Sequence, residues 1–251
     1  MTRTLSTGRA FGAAVAASVL CHAASAADAV IESPEDLRPL FLTVFPDADA
    51  IEDDRYQARP VLAFVTPHRV IFIVADRDPS ELHSATGGHS AYYLRPNGAG
   101  YDVIGSYPRF DVSGGWGEPG EAAPVAVAPD LPGMPDLPGM TVTSGYGNQG
   151  VFCEGLVVYT FDDAGPHASS VFPLALDDSG GMGVANGGAQ TTVDGEVLTI
   201  DAAAGVTIRY TGVVGWDEAR GRFAPGSVDM IVTVPLTTDQ NALWEAFPLQ
   251  C

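Results

Sequence analysis

A mostly β fold, an antiparallel sandwich or barrel with two short flanking helices, is the class that the sequence predicts. Many short runs are rich in Val, Ile, Tyr, Phe and Thr, which are residues that favour strands. The 251 residues include 29 glycines and 19 prolines, which are typical of the turns between such runs. Strand-like and helix-like segments do not alternate, so the pattern does not indicate a parallel sheet with crossover helices.

Nine segments are predicted to be strands, because β-branched and aromatic residues dominate them while Gly, Pro, Asn and Asp separate them. In the segment that begins at residue 206, apolar and polar residues alternate, which is typical of a strand with one buried face. Residues 66–68 predict a hairpin between two others. The nine segments are 61–65, 69–75, 91–95, 101–107, 151–161, 170–176, 196–201, 206–212 and 228–234.

Two short helices are expected at the ends of the mature chain. The first is predicted over about 34–45, because Ser33 can cap it, Pro34 suits its first position, and apolar residues follow at helical spacing. The second is predicted near the C-terminus, where Asp239 can cap a segment that ends before Pro248. The apolar side of this second helix would carry Leu243, Trp244 and Phe247.

One segment departs from the strand pattern. The hexapeptide Pro-Asp-Leu-Pro-Gly-Met occurs at 129–134 and again at 135–140, and its prolines remove donors that a sheet needs. We therefore predict an irregular Pro/Gly-rich excursion over about 117–140. A loop on a single β-rich domain spanning 27–251 is favoured over a linker between two subdomains, because one large β domain can have this length.

The first 26 residues have the composition of a secretory signal peptide. Arg3 and Arg9 precede an apolar stretch over 11–20, and the small residues 24–26 match the pattern that signal peptidase cleaves. The apolar stretch is too short for a transmembrane helix, which needs about 20 residues. We therefore predict a periplasmic or extracellular protein, with no membrane insertion after the signal is cleaved.

The charge of the chain excludes two classes of partner. All 12 basic residues are arginines, and with 31 acidic residues they give a formal net charge of −19. Proteins that bind a nucleic-acid backbone or an anionic membrane surface need clustered basic residues to neutralise phosphate. We therefore expect no nucleic-acid partner for this acidic protein.

Two cysteines, Cys153 and the C-terminal Cys251, remain after signal cleavage. An even number of cysteines in an oxidising compartment predicts one disulfide bond, here between Cys153 and Cys251. The alternative is that Cys251 pairs with a second molecule. Cys21 is expected to leave with the signal, since Leu20 stands where lipoprotein processing requires a small residue.

The segment Asp178-Ser179-Gly180-Gly181 resembles the nucleophile loop of trypsin-like serine proteases, and the alternative function is a serine hydrolase that uses Ser179. The sequence departs from that family at once, with Asp177 and Met182 at the flanking positions. No histidine stands in the Ala-Ala-His-Cys context of the family, so the serine lacks a recognisable base. A polar turn is the favoured interpretation of this segment, and no catalytic residue is assigned.

Metal sites receive weak support. The acidic run Asp47, Asp49, Glu52, Asp53 and Asp54 offers oxygen ligands for Ca²⁺, which leaves a calcium-stabilised structural protein as a further alternative. The run does not match an EF-hand loop, and a solvated acidic loop is favoured. Two histidines six residues apart, at 83 and 89, are interpreted as surface or turn histidines, because no third zinc ligand accompanies them.

The candidate binding residues are Trp116, Tyr146, Asn148 and Gln149, which lie in two glycine-rich segments next to strands. Exposed aromatic rings beside amide groups suit a carbohydrate or a protein partner. The alternative is that the two rings are part of the core. Because no segment combines a nucleophile, a base and an orienting group, we expect an exported, non-catalytic binding or interaction protein without a cofactor.

The same glycine-aromatic motifs carry a resemblance to a group of uncharacterised secreted bacterial proteins, over about residues 80–180. The motifs are His83, Ala91-Tyr92-Tyr93, Gly114-Gly115-Trp116-Gly117 and Gly145-Tyr146-x-Asn148-Gln149-Gly150, in this order. Those proteins have Cys-His-Ala-Cys where this chain has residues 82–85, so a cysteine-linked feature is missing here. The resemblance implies a secreted β-rich protein and no particular activity.

Overall fold

The structure is a computed structural model that describes residues 27–48, 58–79, 85–115, 117–127, 137–148, 150–181, 190–215, 226–240 and 242–243. These described residues include the helix α1 and thirteen strands. The elements are β1 (Ala29–Ile31), α1 (Pro34–Val44), β2 (Ala58–Val65), β3 (Val70–Asp76), β4 (Gly88–Pro96), β5 (Tyr101–Asp111), β6 (Glu121–Val127), β7 (Leu137–Asn148), β8 (Val151–Phe161), β9 (Pro166–Ala168), β10 (Phe172–Asp177), β11 (Thr192–Asp201), β12 (Gly205–Val214) and β13 (Gly226–Val234).

The strands form two antiparallel sheets. The first has the order β1-β2-β3-β4-β5, and the second has the order β13-β12-β11-β10-β8-β7-β6, with β9 beside β8. Every strand pair is antiparallel, as short turns between sequential strands permit. The predicted mostly β, antiparallel class is therefore confirmed. Neither sheet closes on itself within the described residues, so the barrel alternative does not fit.

Three hydrophobic clusters stabilise the two sheets. Helix α1 packs Leu37 and Phe41 against the first sheet, in a cluster that includes Phe72 of β3. The second cluster joins the sheets: the rings of Phe64 on β2 and Phe161 on β8 lie 5.6 Å apart. The third belongs to the second sheet and includes residues of both β6 and β12. Because these strands are far apart in the strand order, the second sheet must curl to bring them together.

The predicted strands agree with the structure, which also adds four. All nine predicted segments overlap an observed strand, and 151–161 coincides with β8. The prediction of an irregular segment over about 117–140 was wrong at both ends, because β6 occupies 121–127 and β7 begins at residue 137. Pro124 is tolerated because β6 is an edge strand, where one side of the backbone needs no partner. Residues 128–136 lie outside the described residues.

The first predicted helix is confirmed as α1, although Ser33 makes no capping hydrogen bond with its side chain. Most of the second predicted helix lies outside the described residues. In the part that is described, the Leu243 N–H donates to the Asp239 carbonyl at 3.0 Å, and Leu243 is buried. The predicted second helix therefore stays a prediction.

Candidate functional site

Four polar side chains form a hydrogen-bonded cluster where the sheets meet, which we call the Asp111 cluster. Oδ2 of Asp111 accepts hydrogen bonds from Nδ1 of His89 at 2.8 Å and from the hydroxyl of Ser113 at 2.5 Å. Oδ1 accepts one from the hydroxyl of Tyr159 at 2.7 Å. His89 is 1% exposed and Asp111 is 3% exposed. The cluster thus places one carboxylate, with three donors, almost entirely out of water.

The hydrogen bonds decide the protonation state of the carboxylate. Burial by itself would raise the pKa of Asp111, but the hydrogen bonds from His89, Ser113 and Tyr159 outweigh burial and lower this pKa below its ordinary value. Burial, together with the charge of Asp111, raises the pKa of Tyr159. At neutral pH, Asp111 is therefore an anion and Tyr159 keeps its proton.

The β4–β5 hairpin brings the two ends of this cluster together. Its register pairs His89 directly with Asp111 and becomes irregular immediately after His89. Opposite this irregularity, Arg109 has a φ of 46°, a left-handed conformation that is uncommon for arginine. Its backbone N–H donates to Ser90 Oγ at 2.9 Å, and its guanidinium donates to the Thr86 carbonyl at 3.0 Å. These bonds hold the bulged end of β5 in place.

The segment after β5 connects the cluster to the second sheet. The backbone N–H of Gly114 donates to Ser144 Oγ on β7 at 2.8 Å, and that of Gly120 donates to Ser113 Oγ at 3.1 Å. Tyr159 on β8 provides the other connection, because its ring packs edge-to-face on Phe110 at 4.9 Å while its hydroxyl bonds Asp111. The cluster therefore depends on both sheets.

An open pocket of about 420 Å³ lies beside the Asp111 cluster, and we call it the Tyr146 pocket. Asp111, Ser113 and Tyr159 line it from the cluster, and Ser144 and Tyr146 line it from β7. Tyr146 is 61% exposed. The volume falls within the range of small-molecule sites, and the wall combines valine side chains with several hydroxyl groups.

Strand register determines which side chains face this pocket. Tyr146 pairs with Cys153 and Ser144 pairs with Gly155, and directly paired residues share a face of an antiparallel sheet. Glu154 also lines the pocket, but the alternation along β8 places its side chain on the opposite face. Asp111 is therefore the carboxylate on the pocket side.

Gly155 makes room for the side chain of Val171, and both residues line the pocket. A Cβ at this position would lie 2.6 Å from Cγ1 of Val171, which is closer than carbon atoms pack. The absence of a side chain at Gly155 therefore fixes where the Val171 side chain lies in the wall of the pocket.

A second pocket, also of about 420 Å³, lies between the edge strands β1 and β6. Its described lining is mostly apolar, including Phe64 and Leu137, with Glu32 as the one charged residue. It lacks the convergent polar groups of the Tyr146 pocket, so it is the weaker candidate for a specific site.

The predicted binding residues have different outcomes. Tyr146 is exposed and lines a pocket, so the interpretation of this ring as part of the core was wrong. Asn148 ends β7, whereas the prediction placed it in a glycine-rich segment next to a strand. Trp116 and Gln149 lie outside the described residues.

The Asp111 cluster was not predicted from the sequence. His89 was interpreted as a surface or turn histidine, which was wrong, because β4 begins before it and the residue is buried. His89 and Asp111 are 22 residues apart, and Tyr159 is 48 residues beyond Asp111. No local motif connects them. Only the register of the β4–β5 hairpin could have indicated the first pair.

The contacts of Ser179 do not support the alternative function of a serine hydrolase. Ser179 lies in an exposed turn, and its N–H donates to Oδ1 of Asp177 at 2.8 Å. In the described part of the chain, the two histidines with carboxylate partners, His89 and His167, bond Asp111 and Asp162, and none bonds Ser179. A hydrolase using Ser179 therefore has no histidine base among these residues.

The predicted calcium run lies mostly outside the described residues, which include only Asp47 of its five acids. Among the residues that the structure describes, no group of three His, Cys, Asp or Glu side chains is arranged to hold a metal. Cys153 lies on β8, whereas Cys251 lies outside the described residues, so their disulfide stays a prediction.

Comparisons with known proteins give no match to a family model, a curated protein or a solved structure. In the described residues, no helix has the length and apolar character needed to cross a membrane.

Proposed function

We propose that this chain is an exported, non-catalytic binding protein that holds a carbohydrate in the Tyr146 pocket. The observation that carries the proposal is the exposed ring of Tyr146 beside a pocket with several hydroxyl groups. Aromatic rings pack on the C–H face of a sugar, while polar side chains and backbone groups bond its hydroxyls. A protein partner is the other ligand class that such a surface suits.

The hydrogen bonds around the pocket support a binding role. Ser144 is held by the N–H of Gly114, and Ser113 by the N–H of Gly120. Each hydroxyl oxygen therefore has a fixed position before any ligand arrives, and less entropy is lost on binding. A site whose polar groups are already oriented is suited to recognition of one ligand shape.

Binding to a panel of mono- and oligosaccharides, followed by titration calorimetry with any ligand found, tests the proposal. We expect Tyr146→Ala to weaken binding by at least about tenfold, as for an aromatic side chain that the bound ligand buries at the centre of an interface. Its melting temperature should stay within about 1 °C of the wild-type value, because substitutions of exposed side chains change stability little. Trp116→Ala is expected to behave in the same way.

Phe152→Ala is the matched control. Phe152 is an exposed aromatic residue on the neighbouring strand β8, but it does not line the pocket. Its replacement should leave sugar binding unchanged. Equal binding by wild type and Tyr146→Ala would contradict the proposed site, and a panel without any bound sugar would contradict the carbohydrate proposal.

Three further expectations, and one supporting resemblance, accompany this proposal. Signal cleavage after residue 26 would give an N-terminus at Ala27 in the mature protein, which intact-protein mass spectrometry measures. The same spectrum would be 2 Da lighter before reduction if Cys153 and Cys251 are bonded, as one disulfide removes about two hydrogens. The shared Phe64–Phe161 cluster supports a sandwich arrangement of the sheets. The resemblance to secreted bacterial proteins is consistent with export.

A further inference from the structure

We infer that the Tyr146 pocket selects an amino sugar, a carbohydrate that carries a protonated amine, over neutral or anionic sugars of the same shape. The inference rests on the proposed function, because it names the ligand class of that same pocket. Three observations carry it: the charge beside the pocket, the unused acceptor capacity of Asp111, and the exposed ring of Tyr146.

The charge beside the pocket is negative. Asp111 is an anion that is 3% exposed, so little water screens it. Among the described residues that line the pocket, none is Arg, Lys or His, and the other charged residue is Glu154. An anionic ligand in the pocket would therefore meet no cationic side chain among these lining residues.

One carboxylate oxygen of Asp111, Oδ1, can accept a further hydrogen bond. A carboxylate accepts about four hydrogen bonds, two on each oxygen. Among the residues that the structure describes, Oδ2 accepts from both His89 and Ser113, whereas Oδ1 accepts from Tyr159 alone. An ammonium group has three donors and no acceptor, so it matches the remaining acceptor position of Oδ1. A neutral hydroxyl can fill the same position, but without the charge.

The ring of Tyr146 provides a second favourable contact for a cation. A positive charge over the face of a tyrosine is attracted by the ring quadrupole. In the part of the chain that the structure describes, no guanidinium or aromatic ring packs on Tyr146, so its face is open to a ligand. A sugar whose carbon face packs on this ring can therefore place its ammonium group near both the ring and Asp111, since both residues line the same pocket.

Titration of the purified mature protein with three matched sugars tests the inference. D-Glucosamine, D-glucose and D-glucuronate share a ring and differ in charge, and at about pH 6 the amine and the carboxylate are both ionised. We expect glucosamine to bind at least about tenfold more tightly than glucose, a difference of about 1.4 kcal/mol, and glucuronate to bind more weakly than glucose. Asp111→Asn should reduce the preference for glucosamine to within about twofold.

Two controls separate the pocket from general charge effects. Because the whole chain is acidic, a cation could accumulate around it without a specific site. Such accumulation would persist in Tyr146→Ala, whereas binding in the pocket would be lost there and kept in Phe152→Ala. The comparison of the three sugars with wild-type protein also gives a result if Asp111→Asn fails to fold.

The outcomes distinguish the inference from the proposed function. Tight binding of glucose or glucuronate at the expense of glucosamine would overturn the inference but leave a carbohydrate site at Tyr146. Equal affinities for all three sugars would do the same. Absence of binding by any of the three, and by the wider sugar panel, would overturn both.

Discussion

Removal of one hydroxyl group, in Tyr159→Phe, measures how strongly the Asp111 cluster stabilises the protein. The substitution deletes the 2.7 Å hydrogen bond to Oδ1 of Asp111 but keeps the ring that packs on Phe110. Hydrogen bonds to charged groups contribute about 1.5–3 kcal/mol, and this one is buried. We expect a loss of about 2 kcal/mol at pH 7, which lowers the melting temperature by about 4–8 °C in a protein of this size.

The loss should depend on pH in a defined direction. Asp111 has a lowered pKa in the folded protein, so its interactions stabilise the fold above the pKa of the unfolded chain, about 3.9. That contribution disappears as the pH falls through the folded-state pKa. The difference in stability between wild type and Tyr159→Phe should therefore be largest near neutral pH and should shrink in acid. Urea unfolding curves at several pH values measure it.

Tyr93→Phe is the matched control for this experiment. Tyr93 belongs to the same hydrophobic cluster, but its buried hydroxyl makes no hydrogen bond in the described structure. Removing an unsatisfied buried hydroxyl should be neutral or stabilising by up to about 2 kcal/mol. A loss below about 0.5 kcal/mol in Tyr159→Phe, or equal losses in both variants, would refute the reasoning about Asp111.

Three other substitutions test the remaining parts of the structure. Burial raises the pKa of Asp76, which accepts a hydrogen bond from Ser90. A raised carboxyl pKa costs stability as the pH rises through it, so the melting temperature of Asp76→Asn relative to wild type should increase from about pH 4 to about pH 8. A constant difference would contradict this sign. Gly205→Ala should lose at least about 2 kcal/mol in urea, because Gly205 has a φ of +101° and a Cβ would meet the Val234 carbonyl oxygen. A loss under about 0.5 kcal/mol would show that the β11–β12 turn relaxes. Gly155→Ala should weaken sugar binding more than it lowers the melting temperature, since the new methyl group would displace the side chain of Val171, which is 38% exposed and lines the Tyr146 pocket. Unchanged binding would place the ligand elsewhere.

The strand pattern could be predicted because it depends on local composition. The run 151–161 is rich in β-branched and aromatic residues, and it forms β8 with the same limits. β6 and the start of β7 were not predicted, because proline lacks the N–H that an interior strand needs. At an edge strand, the missing N–H of Pro124 has no cost, and the position of an edge is a property of the whole sheet.

The candidate site was less predictable for a related reason. Tyr146 was found because an aromatic residue between glycines is conspicuous in a sequence. The Asp111 cluster combines residues from β4, from the end of β5 and from β8, and only the pairing of strands brings them together. A histidine and an aspartate that are 22 residues apart have no local signature. Their burial then changes the chemistry of the carboxylate, which composition cannot indicate.

The Asp111 cluster has two roles that can be separated by ligand binding. Its hydrogen bonds join the two sheets, and its charge lies beside the Tyr146 pocket. A ligand that binds only the folded protein raises stability by about 2.7 kcal/mol at a concentration 100 times its Kd. If Asp111 both stabilises the junction and binds the amine, glucosamine should stabilise wild type but not Tyr146→Ala, although the two proteins melt alike without ligand. Tyr159→Phe, in contrast, should melt at a lower temperature than wild type. It should still gain stability from the sugar, because Oδ1 of Asp111 has then lost the Tyr159 hydroxyl and remains free to accept from the amine. Opposite responses of these two variants would assign the ring to recognition and the hydroxyl to the fold.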